Sequence, residues 1–541
     1  MNTLSDNDRW ASGIDDALRP EVHYGDREML CYAERVGSLS EMLAACVDRF
    51  PDRPAIVEDR RFSFRDLERE ASTVAANLKA IGVSSGSRVA LLLKNRWQFL
   101  VCLFACTRIG AVTVPLSTRL ARAELAFLLE DSGTSVLVFE DDLAELLPAP
   151  GALPSLAHIF SIDGSVSGAR PFTELLAEAP PVAVSPCREE DVAIILYTSG
   201  TTGRPKGAML THLGLIHSAT NFARCLGLTE QDRALVAVPL SHVTGLVGVA
   251  LSALSAGGCA ILMRSSFEKK AFLKLASRER MTFSILVPTI YSLISTTPEL
   301  DTTDLSSWRI GCFGGAPMPV DTIERIGRKL PRLALVNAYG ATETTSPSTV
   351  MPLSDWQDHM DSVGKPVPGA DIRIVDDDGQ DVPAGEPGEL LIAGPMVVPG
   401  YHDRPEESAS AFIGGFWRSG DIGSIDKNGF VRVFDRRKDM INRGGFKVFS
   451  AEVENTLSQH DAILECAVIG VPDPVLGERV HAFIVPHTDT TIDEAGLRSF
   501  CMTRLSDYKR PETYTLLETP LPRNNNGKIQ KAALRSLQRT K

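Results

Sequence analysis

Short apolar runs alternate with amphipathic stretches along the first two-thirds of the chain. RVALLL (88–93), SVLVFE (135–140), AIILY (193–197), CAILM (259–263) and FSILV (283–287) are almost wholly apolar and are bounded by polar residues. Runs of about four to eight such residues read as strands buried on both faces. Between them, Leu67, Ala71, Ala75 and Leu78 recur at helical spacing. Ser63 with Asp66 forms a capping box at the start of that helix, and Ser38 with Glu41 forms another before EMLAACVDRF; Gly82 stands where the first of these helices should stop. The alternation predicts mostly parallel, buried sheets with helices on their faces, an α/β fold. LVGVALSALSAGGCAILM (246–263) approaches membrane-span length. Its Ser-Ala-Gly-Gly centre and its change from helical to β spacing predict a buried helix, a turn and a buried strand instead.

The texture changes twice. Residues 145–190 are richer in Pro, Ala and Gly and predict irregular surface. After about residue 360 the chain is dense in Pro, Gly and Asp with short alternating strands, which predicts a small β-barrel or β-ribbon unit, with Asn428-Gly429 as a hairpin turn between IGSID and FVRVF. A charged run, DRRKD (435–439), then precedes about a hundred residues of mixed α/β pattern, enough for a small domain. The expected division is an N-terminal domain at 1–434, a linker at 435–439 and a mobile α+β C-terminal domain at 440–541.

Composition supports this. A chain of 541 residues exceeds one hydrophobic core, and its 44% hydrophobic and 23% charged content is that of a soluble globular protein. The formal net charge of −12 argues against nucleic acid and against an acidic membrane surface as partners. No apolar leader opens the sequence. The ten cysteines include no C-x-x-C pair, and Cys102 and Cys106 share one apolar helical face. Such usage offers neither a zinc site nor a disulfide framework and points to a reducing compartment, the cytoplasm.

The densest chemistry lies in YTSGTTGRPKG (197–207), which follows a strand-like run and precedes a polar, non-periodic segment. Gly200, Gly203 and Gly207 let the backbone approach a ligand closely. Thr198, Ser199, Thr201 and Thr202 offer hydroxyls, and Arg204 and Lys206 offer positive charge. The segment reads as a phosphate-gripping loop or, on composition alone, as a surface turn. It is not a Walker loop, because Gly207 follows Lys206 and Pro205 interrupts the run.

The order of residues in this loop resembles that of the adenylate-forming superfamily of acyl-CoA synthetases, amino-acid adenylation domains and beetle luciferases. Four further segments resemble the family's motifs in the same order along the chain. GGAPMP (314–319) resembles the adenine-binding turn, so Gly315, Ala316 and Pro317 would lie against the purine; in isolation it would be a strand-to-helix turn. NAYGATETT (337–345) resembles the Tyr-Gly-x-Thr-Glu motif. The resemblance implies that Asn337 faces the adenine edge, Tyr339 packs on the base, Thr342 binds a phosphate oxygen and Glu343 helps hold Mg²⁺, which prefers oxygen ligands. WRSGDIG (417–423) carries Asp421, implied to accept from the ribose hydroxyls, with Arg436 as a second ribose contact. PRNNNGKIQK (522–531) presents Lys528, implied to be the adenylation lysine. His242, in SHVTG (241–245), matches a histidine that relatives often place beside the substrate carboxylate; a buried core histidine is the plainer alternative.

The resemblance further implies two half-reactions. The acid attacks the α-phosphate of ATP to give an acyl-adenylate and pyrophosphate, and a thiol then displaces AMP. ATP, Mg²⁺ and coenzyme A are the implied cofactor and co-substrates. Lys438 matches the hinge position about which the C-terminal domain rotates between the half-reactions. Gly444 and Gly445 would then line a pantetheine channel, with Lys447 near a phosphate, or they form a plain hairpin turn. AVPLSHVTGLVG (237–248) lacks the Phe-Asp pair of amino-acid adenylation domains, which favours an acid:CoA ligase. The segments HVTGLVGV, VPTIYSL (287–293) and NAYGATETTSP are small and mostly apolar, which favours a neutral aliphatic or aryl acid. Transfer to a carrier protein, a luciferase-like oxygenase and an inactive nucleotide-binding relative stay open, as does a homodimer.

Overall fold

The computed structural model describes residues 18–149, 151–198, 204–264, 267–315, 318, 320–487, 490, 492–523 and 529–539. Packing divides the chain into two units. Met1–Met318, Thr322–Ile372 and Leu391–Arg418 form the first; Pro319–Asp321, Arg373–Leu390 and Ser419–Lys541 form the second.

The first unit contains two large sheets. Among the described residues one has seven strands, in the order Lys206–Thr211, Val192–Thr198, Val112–Pro115, Arg88–Leu92, Val136–Phe139, His158–Ser161 and Arg170–Pro171. The other has nine: Lys365–Pro366, Thr349–Val350, Ala334–Tyr339, Ile310–Phe313, Phe283–Leu286, Arg233–Val236, Cys259–Leu262, Pro54–Val57 and Arg61–Ser63. Central pairs are parallel, and antiparallel partners occur toward the edges. All five apolar runs named above are strands of these sheets. Every residue of Val136–Phe139, Cys259–Leu262 and Phe283–Leu286 is buried, as strands covered on both faces require.

Local chemistry explains the helix starts. Helix Phe64–Ala80 opens on a reciprocal box, with Asp66 N–H donating to Ser63 Oγ (3.1 Å) and Ser63 N–H donating to Asp66 Oδ2 (3.1 Å). Helix Leu39–Arg49 has only half of the expected box. Ser38 Oγ accepts from Glu41 N–H, but the Glu41 carboxylate takes the Gly37 N–H (2.8 Å) instead of that of Ser38. The stretch 246–263 is a buried helix, a turn and a strand as expected, and among the described residues no helix is long and apolar enough to cross a membrane. The eight-residue segment that opens this helix, Thr244–Leu251, starts two residues earlier and is wound as a π-helix, which the hydrophobic pattern did not indicate. Segment 145–190 is less irregular than expected. His158–Ser161 and Arg170–Pro171 extend the seven-stranded sheet because Phe160 and Phe172 are fully buried.

After residue 360 the expected β-ribbon is a five-stranded sheet of Asp371–Val375, Gly388–Ala393, Phe416–Ile425, Phe412–Ile413 and Val431–Arg436. Asn428-Gly429 does turn the chain between the last two long strands. The Asp426 carboxylate sets that turn by accepting from Asn428 N–H (2.9 Å) and Phe430 N–H (3.0 Å).

From Ile441 on, the described residues of the second unit form another five-stranded sheet, ordered Phe446–Val448, Ile441–Arg443, Gly477–Pro486, Ile463–Asp473, with Thr513–Leu516 parallel on Gly477–Pro486. Helices Ser450–Leu457 and Glu494–Met502 pack their apolar faces on it through Val453, Leu457, Leu497 and Cys501. Within this unit the segment 435–439 is tied down. Asp435 accepts from Ser450 Oγ (2.6 Å), Lys531 Nζ donates to Ser450 Oγ (2.6 Å) and pairs with Glu454 (2.7 Å), and Arg535 pairs with Asp439 (2.8 Å) and donates to the Lys438 carbonyl (3.2 Å). All ten cysteines are free thiols, and Cys102 and Cys106 are fully buried; burial pushes Cys106 up to about 12, so it stays protonated.

Candidate active site

In α/β sheets, ligands meet the carboxyl ends of the strands, where loops and helix starts converge. In the first unit several predicted residues sit at such ends. Phe313 and Asn337 are register partners on adjacent parallel strands. Just beyond them Gly314 lies against the neighbouring strand: a Cβ there would come within 2.3 Å of the Ala338 carbonyl oxygen, so only glycine permits the approach. Gly315 follows, exposed and with nothing within 4 Å of where its side chain would point, which leaves bare backbone for a flat ligand. Ala316 and Pro317 lie outside the described residues.

Asn337 donates its side-chain amide to Ser362 O (3.3 Å), and its own carbonyl accepts from Met351 N–H (2.8 Å). The Tyr339 carbonyl accepts from Ser348 N–H (2.8 Å). The chain then makes one tight helical turn, Thr342–Thr344, closed by Ala341 N–H donating to Thr344 Oγ1 (3.0 Å). Glu343 is fixed on that turn from two directions: Tyr401 OH donates to Oε1 at 3.0 Å, and Thr198 Oγ1 lies 3.4 Å from the same oxygen. Thr198 is the last residue of the strand leading into the glycine-rich loop. The structure therefore unites Thr198 and Glu343, which lie 145 positions apart.

The loop's other flank differs from its sequence reading. The segment after it is a strand, Lys206–Thr211, antiparallel to Val192–Thr198, with Thr198 opposite Lys206 and Tyr197 opposite Gly207. Ala208 and Leu210 are fully buried, and this burial makes a strand of a stretch whose polarity suggested none. Ser199, Gly200, Thr201, Thr202 and Gly203 lie outside the described residues. Lys206 Nζ stands 5.2 Å above the Tyr401 ring.

Tyr401, which bonds the Glu343 carboxylate, was not indicated by the sequence. It belongs to a segment that ties the site together: Val398 N–H donates to Glu343 O (3.0 Å), Met209 N–H to Gly400 O (3.2 Å) and His402 N–H to Gly207 O (2.7 Å). Burial, and then the Glu343 carboxylate beside it, hold the Tyr401 phenol well above its usual range, so it remains a donor. PGYHDRP carries turn residues but no spacing that marks the tyrosine.

His242 follows the strand Arg233–Val236 and is half-buried, with its N–H bonded to Pro239 O (3.1 Å). Burial pushes its imidazole down to about 4, so it is neutral at neutral pH. His212 is pushed to about 4 and the fully buried His217 to about 3 by the same cause. These folded-state values lie below that of an unfolded histidine, so the unfolded chain binds more protons as pH falls from about 6.5 toward 4. Stability is therefore expected to be highest above pH 7 and to decline on acidification, with His217 alone contributing on the order of 2 kcal/mol of loss by pH 5. Urea titrations at pH 7.5, 6 and 5 check this. His217→Leu should flatten the slope, and an unchanged slope would contradict the assignment.

In the second unit Asp421 and Arg436 are cross-strand partners in register, joined by an ion pair of 2.6 Å between Arg436 Nε and Asp421 Oδ1. Ser419 helps to fix Asp421, since its Oγ accepts from Asp421 N–H (3.0 Å) while donating to Leu390 O (2.8 Å). Lys438 is exposed. Gly444 and Gly445 form the two-residue turn of a hairpin in which Arg443 pairs Phe446; both have positive φ (+60° and +89°), as such a turn requires. Lys447 is exposed on that hairpin. Lys528 lies outside the described residues, and Arg523 and Ile529 on either side of the segment pair with each other.

The donor set of the first unit suits a magnesium-bound nucleotide. A hard cation takes oxygen ligands, and Glu343 is a carboxylate already oriented by a phenol, with a hydroxyl close by. Gly314 and Gly315 leave a cradle that a side chain would fill.

Residues 43–402 match the AMP-binding enzyme profile, and residues 452–528 match that of the AMP-binding enzyme C-terminal domain. The chain is 40% identical over 474 residues to a feruloyl-CoA synthase of Amycolatopsis sp, an overlap of 87% of this chain and 93% of that one. It is similar to a solved anthranilate CoA ligase in complex with anthranoyl-AMP (TM-score 0.87, 29% identity, 92% of this chain and 97% of that one). It is also similar to an o-succinylbenzoate coenzyme A synthetase from Bacillus subtilis in complex with ATP and magnesium ion (TM-score 0.78, 30% identity, 91% of this chain and 99% of that one).

Proposed function

Because the chain belongs to the AMP-binding enzyme family, we infer that it is an ATP-dependent, AMP-forming acid:CoA ligase that works through an acyl-adenylate, and that its acid is aromatic. The observation that carries this reading is the fixed Glu343 carboxylate beside Thr198, which directly precedes the glycine-rich segment. Small and mostly apolar segments around His242, Pro288 and Tyr339 suit an uncharged tail, and the three similar proteins named above all bear names of aryl acids.

In the first half-reaction the loop 197–207, with Lys206, holds the β- and γ-phosphates. Gly315, Ala316 and Pro317 with Asn337 and Tyr339 hold the adenine, and Asp421 with Arg436 holds the ribose. Neutral His242 lies beside the acid without adding charge that would tie up its carboxylate. Thr342 and Lys528 meet the charge that grows on the α-phosphate oxygens. Glu343 would hold Mg²⁺, which when bound neutralises phosphate charge. In the second, the coenzyme A thiol attacks the acyl carbonyl and AMP leaves; Gly444, Gly445 and Lys447 serve that step. We place the domains at 1–434 and 440–541, with 435–439 as the linker and Lys438 as its hinge residue. The ten free thiols suit a cytoplasmic setting.

A panel of aryl and aliphatic acids assayed with ATP, Mg²⁺ and coenzyme A tests the substrate class. Aryl acids should give the highest kcat/KM, and preference for a saturated long-chain acid would overturn that part. Lys438→Pro should slow thioester formation about tenfold and adenylation less, because proline fixes φ and is disfavoured at the third position of the turn Arg436–Asp439. Single-turnover measurement of each half-reaction checks this; equal slowing of both would count against a hinge at Lys438.

A further inference from the structure

The matched family profile begins at residue 43. Upstream of it lies an antiparallel hairpin, Leu18–His23 paired with Arg27–Tyr32, which the mechanism above does not use. Its attachment is specific. Arg27 Nη1 donates to Val398 O (3.2 Å) and Nη2 to Pro399 O (2.8 Å). Tyr24, in the hairpin loop, shares a hydrogen bond of 2.7 Å between its OH and Thr211 Oγ1. Its N–H donates to Glu190 (3.1 Å), which helps hold a left-handed conformation (φ 52°) that a tyrosine adopts only at a cost. The Arg27 guanidinium lies over the Tyr24 and Phe412 rings, and the Phe412 ring packs edge-on against Tyr401.

The two carbonyls gripped by Arg27 belong to the segment whose next residues orient Glu343. Val398 N–H bonds the Glu343 carbonyl, and Tyr401 OH bonds its carboxylate. Val398 is thus held through its carbonyl by Arg27 and holds the Glu343 backbone through its N–H, while Tyr401, three residues on, holds the carboxylate, so a shift of this segment is felt at Glu343. Tyr24 likewise holds the far end of Lys206–Thr211, the strand that returns from the glycine-rich loop.

We propose that Arg27 is a positioning residue for the reaction: through the carbonyls of Val398 and Pro399 it fixes the Tyr401–Glu343 pair, and so sets the affinity of the site for Mg²⁺ with ATP. The proposal rests on Glu343 being the magnesium carboxylate. Groups that orient a metal ligand from behind typically change metal affinity about 10- to 100-fold when removed.

The test uses the full-length enzyme and has three arms. Binding of a non-hydrolysable ATP analogue is titrated with Mg²⁺ by calorimetry, the Mg²⁺ dependence of adenylation is measured, and amide exchange is followed at Val398, His402 and Met209. Arg27→Ala should raise the Mg²⁺ midpoint about tenfold in both titrations. Its kcat at saturating Mg²⁺ should stay within about threefold of wild type, and protection at those three amides should fall. Arg27→Lys, which keeps the charge but offers a single donor nitrogen in place of the two that grip the carbonyls, should restore part of the midpoint. An unchanged midpoint, or a fall in kcat at saturating Mg²⁺ with the midpoint unmoved, would overturn the proposal. Glu343→Gln separates the two ideas: if it leaves the Mg²⁺ midpoint alone, the assignment of the carboxylate fails; if it shifts the midpoint while Arg27→Ala does not, only the role of Arg27 fails.

Discussion

Lys528→Ala is expected to lower acyl-adenylate formation by about 10²-fold or more while leaving thioester formation from a supplied acyl-adenylate within a few-fold of wild type. In the first half-reaction a carboxylate approaches an anionic phosphate, and charge accumulates on the oxygens of the α-phosphorus. A lysine ammonium directed there stabilises the transition state more than the ground state, so its loss appears in kcat. In the second half-reaction the phosphate is a leaving group already formed, and the developing charge is on the acyl oxygen. The two rates are separable by pyrophosphate exchange and by mixing a synthetic acyl-adenylate with coenzyme A. Equal loss in both would mean that Lys528 maintains the fold of its unit and takes no part in adenylation.

Asp421→Ala should raise the KM for ATP about 10- to 100-fold. Hydrogen bonds to a charged group contribute about 1.5–3 kcal/mol, and each 1.4 kcal/mol is about tenfold in affinity. The effect has two parts. The ribose hydroxyls lose their acceptor, and Arg436 loses the carboxylate that fixes it at 2.6 Å. Asp421 is buried and held by Ser419, so no neighbouring group swings in to replace it. A second substrate separates ribose reading from simple loss of fold: 2′-deoxy-ATP should be discriminated against by wild type and much less by the variant. A variant that still discriminates would place the ribose elsewhere.

The alternating sheets were legible in the sequence because doubly covered strands must be apolar along their whole length, and runs such as SVLVFE show this directly. Lys206–Thr211 was not legible, because it is the end strand of its sheet, its apolar positions are few, and the segment that bridges its outer side at Ala208 comes from Tyr401, almost two hundred positions away. The π winding of Thr244–Leu251 has no compositional mark, and a 3.6-residue period is all that its apolar run suggests. Among the candidate residues, Thr198 stands in a glycine- and hydroxyl-rich loop that composition marks, whereas Glu343, Asp421 and Arg436 were named through the resemblance of their segments to the family's motifs; the structure sets Thr198 beside Glu343 and pairs Asp421 with Arg436. Tyr401 and Arg27 were not legible, since each acts through partners more than fifty positions away and neither lies in a pattern of residue types. Long-range hydrogen bonds leave no periodic trace in a chain.

The most direct test of the central claim, that a carboxylic acid is activated by joining it to AMP, is to follow oxygen. A feruloyl-type aryl acid labelled with oxygen-18 in its carboxylate is turned over with ATP, Mg²⁺ and coenzyme A, and the products are analysed by mass spectrometry. Attack of the carboxylate on the α-phosphorus must leave one labelled oxygen in AMP, beside unlabelled pyrophosphate and an acyl-CoA. Label in orthophosphate with ADP as the other product, or AMP free of label, would contradict it.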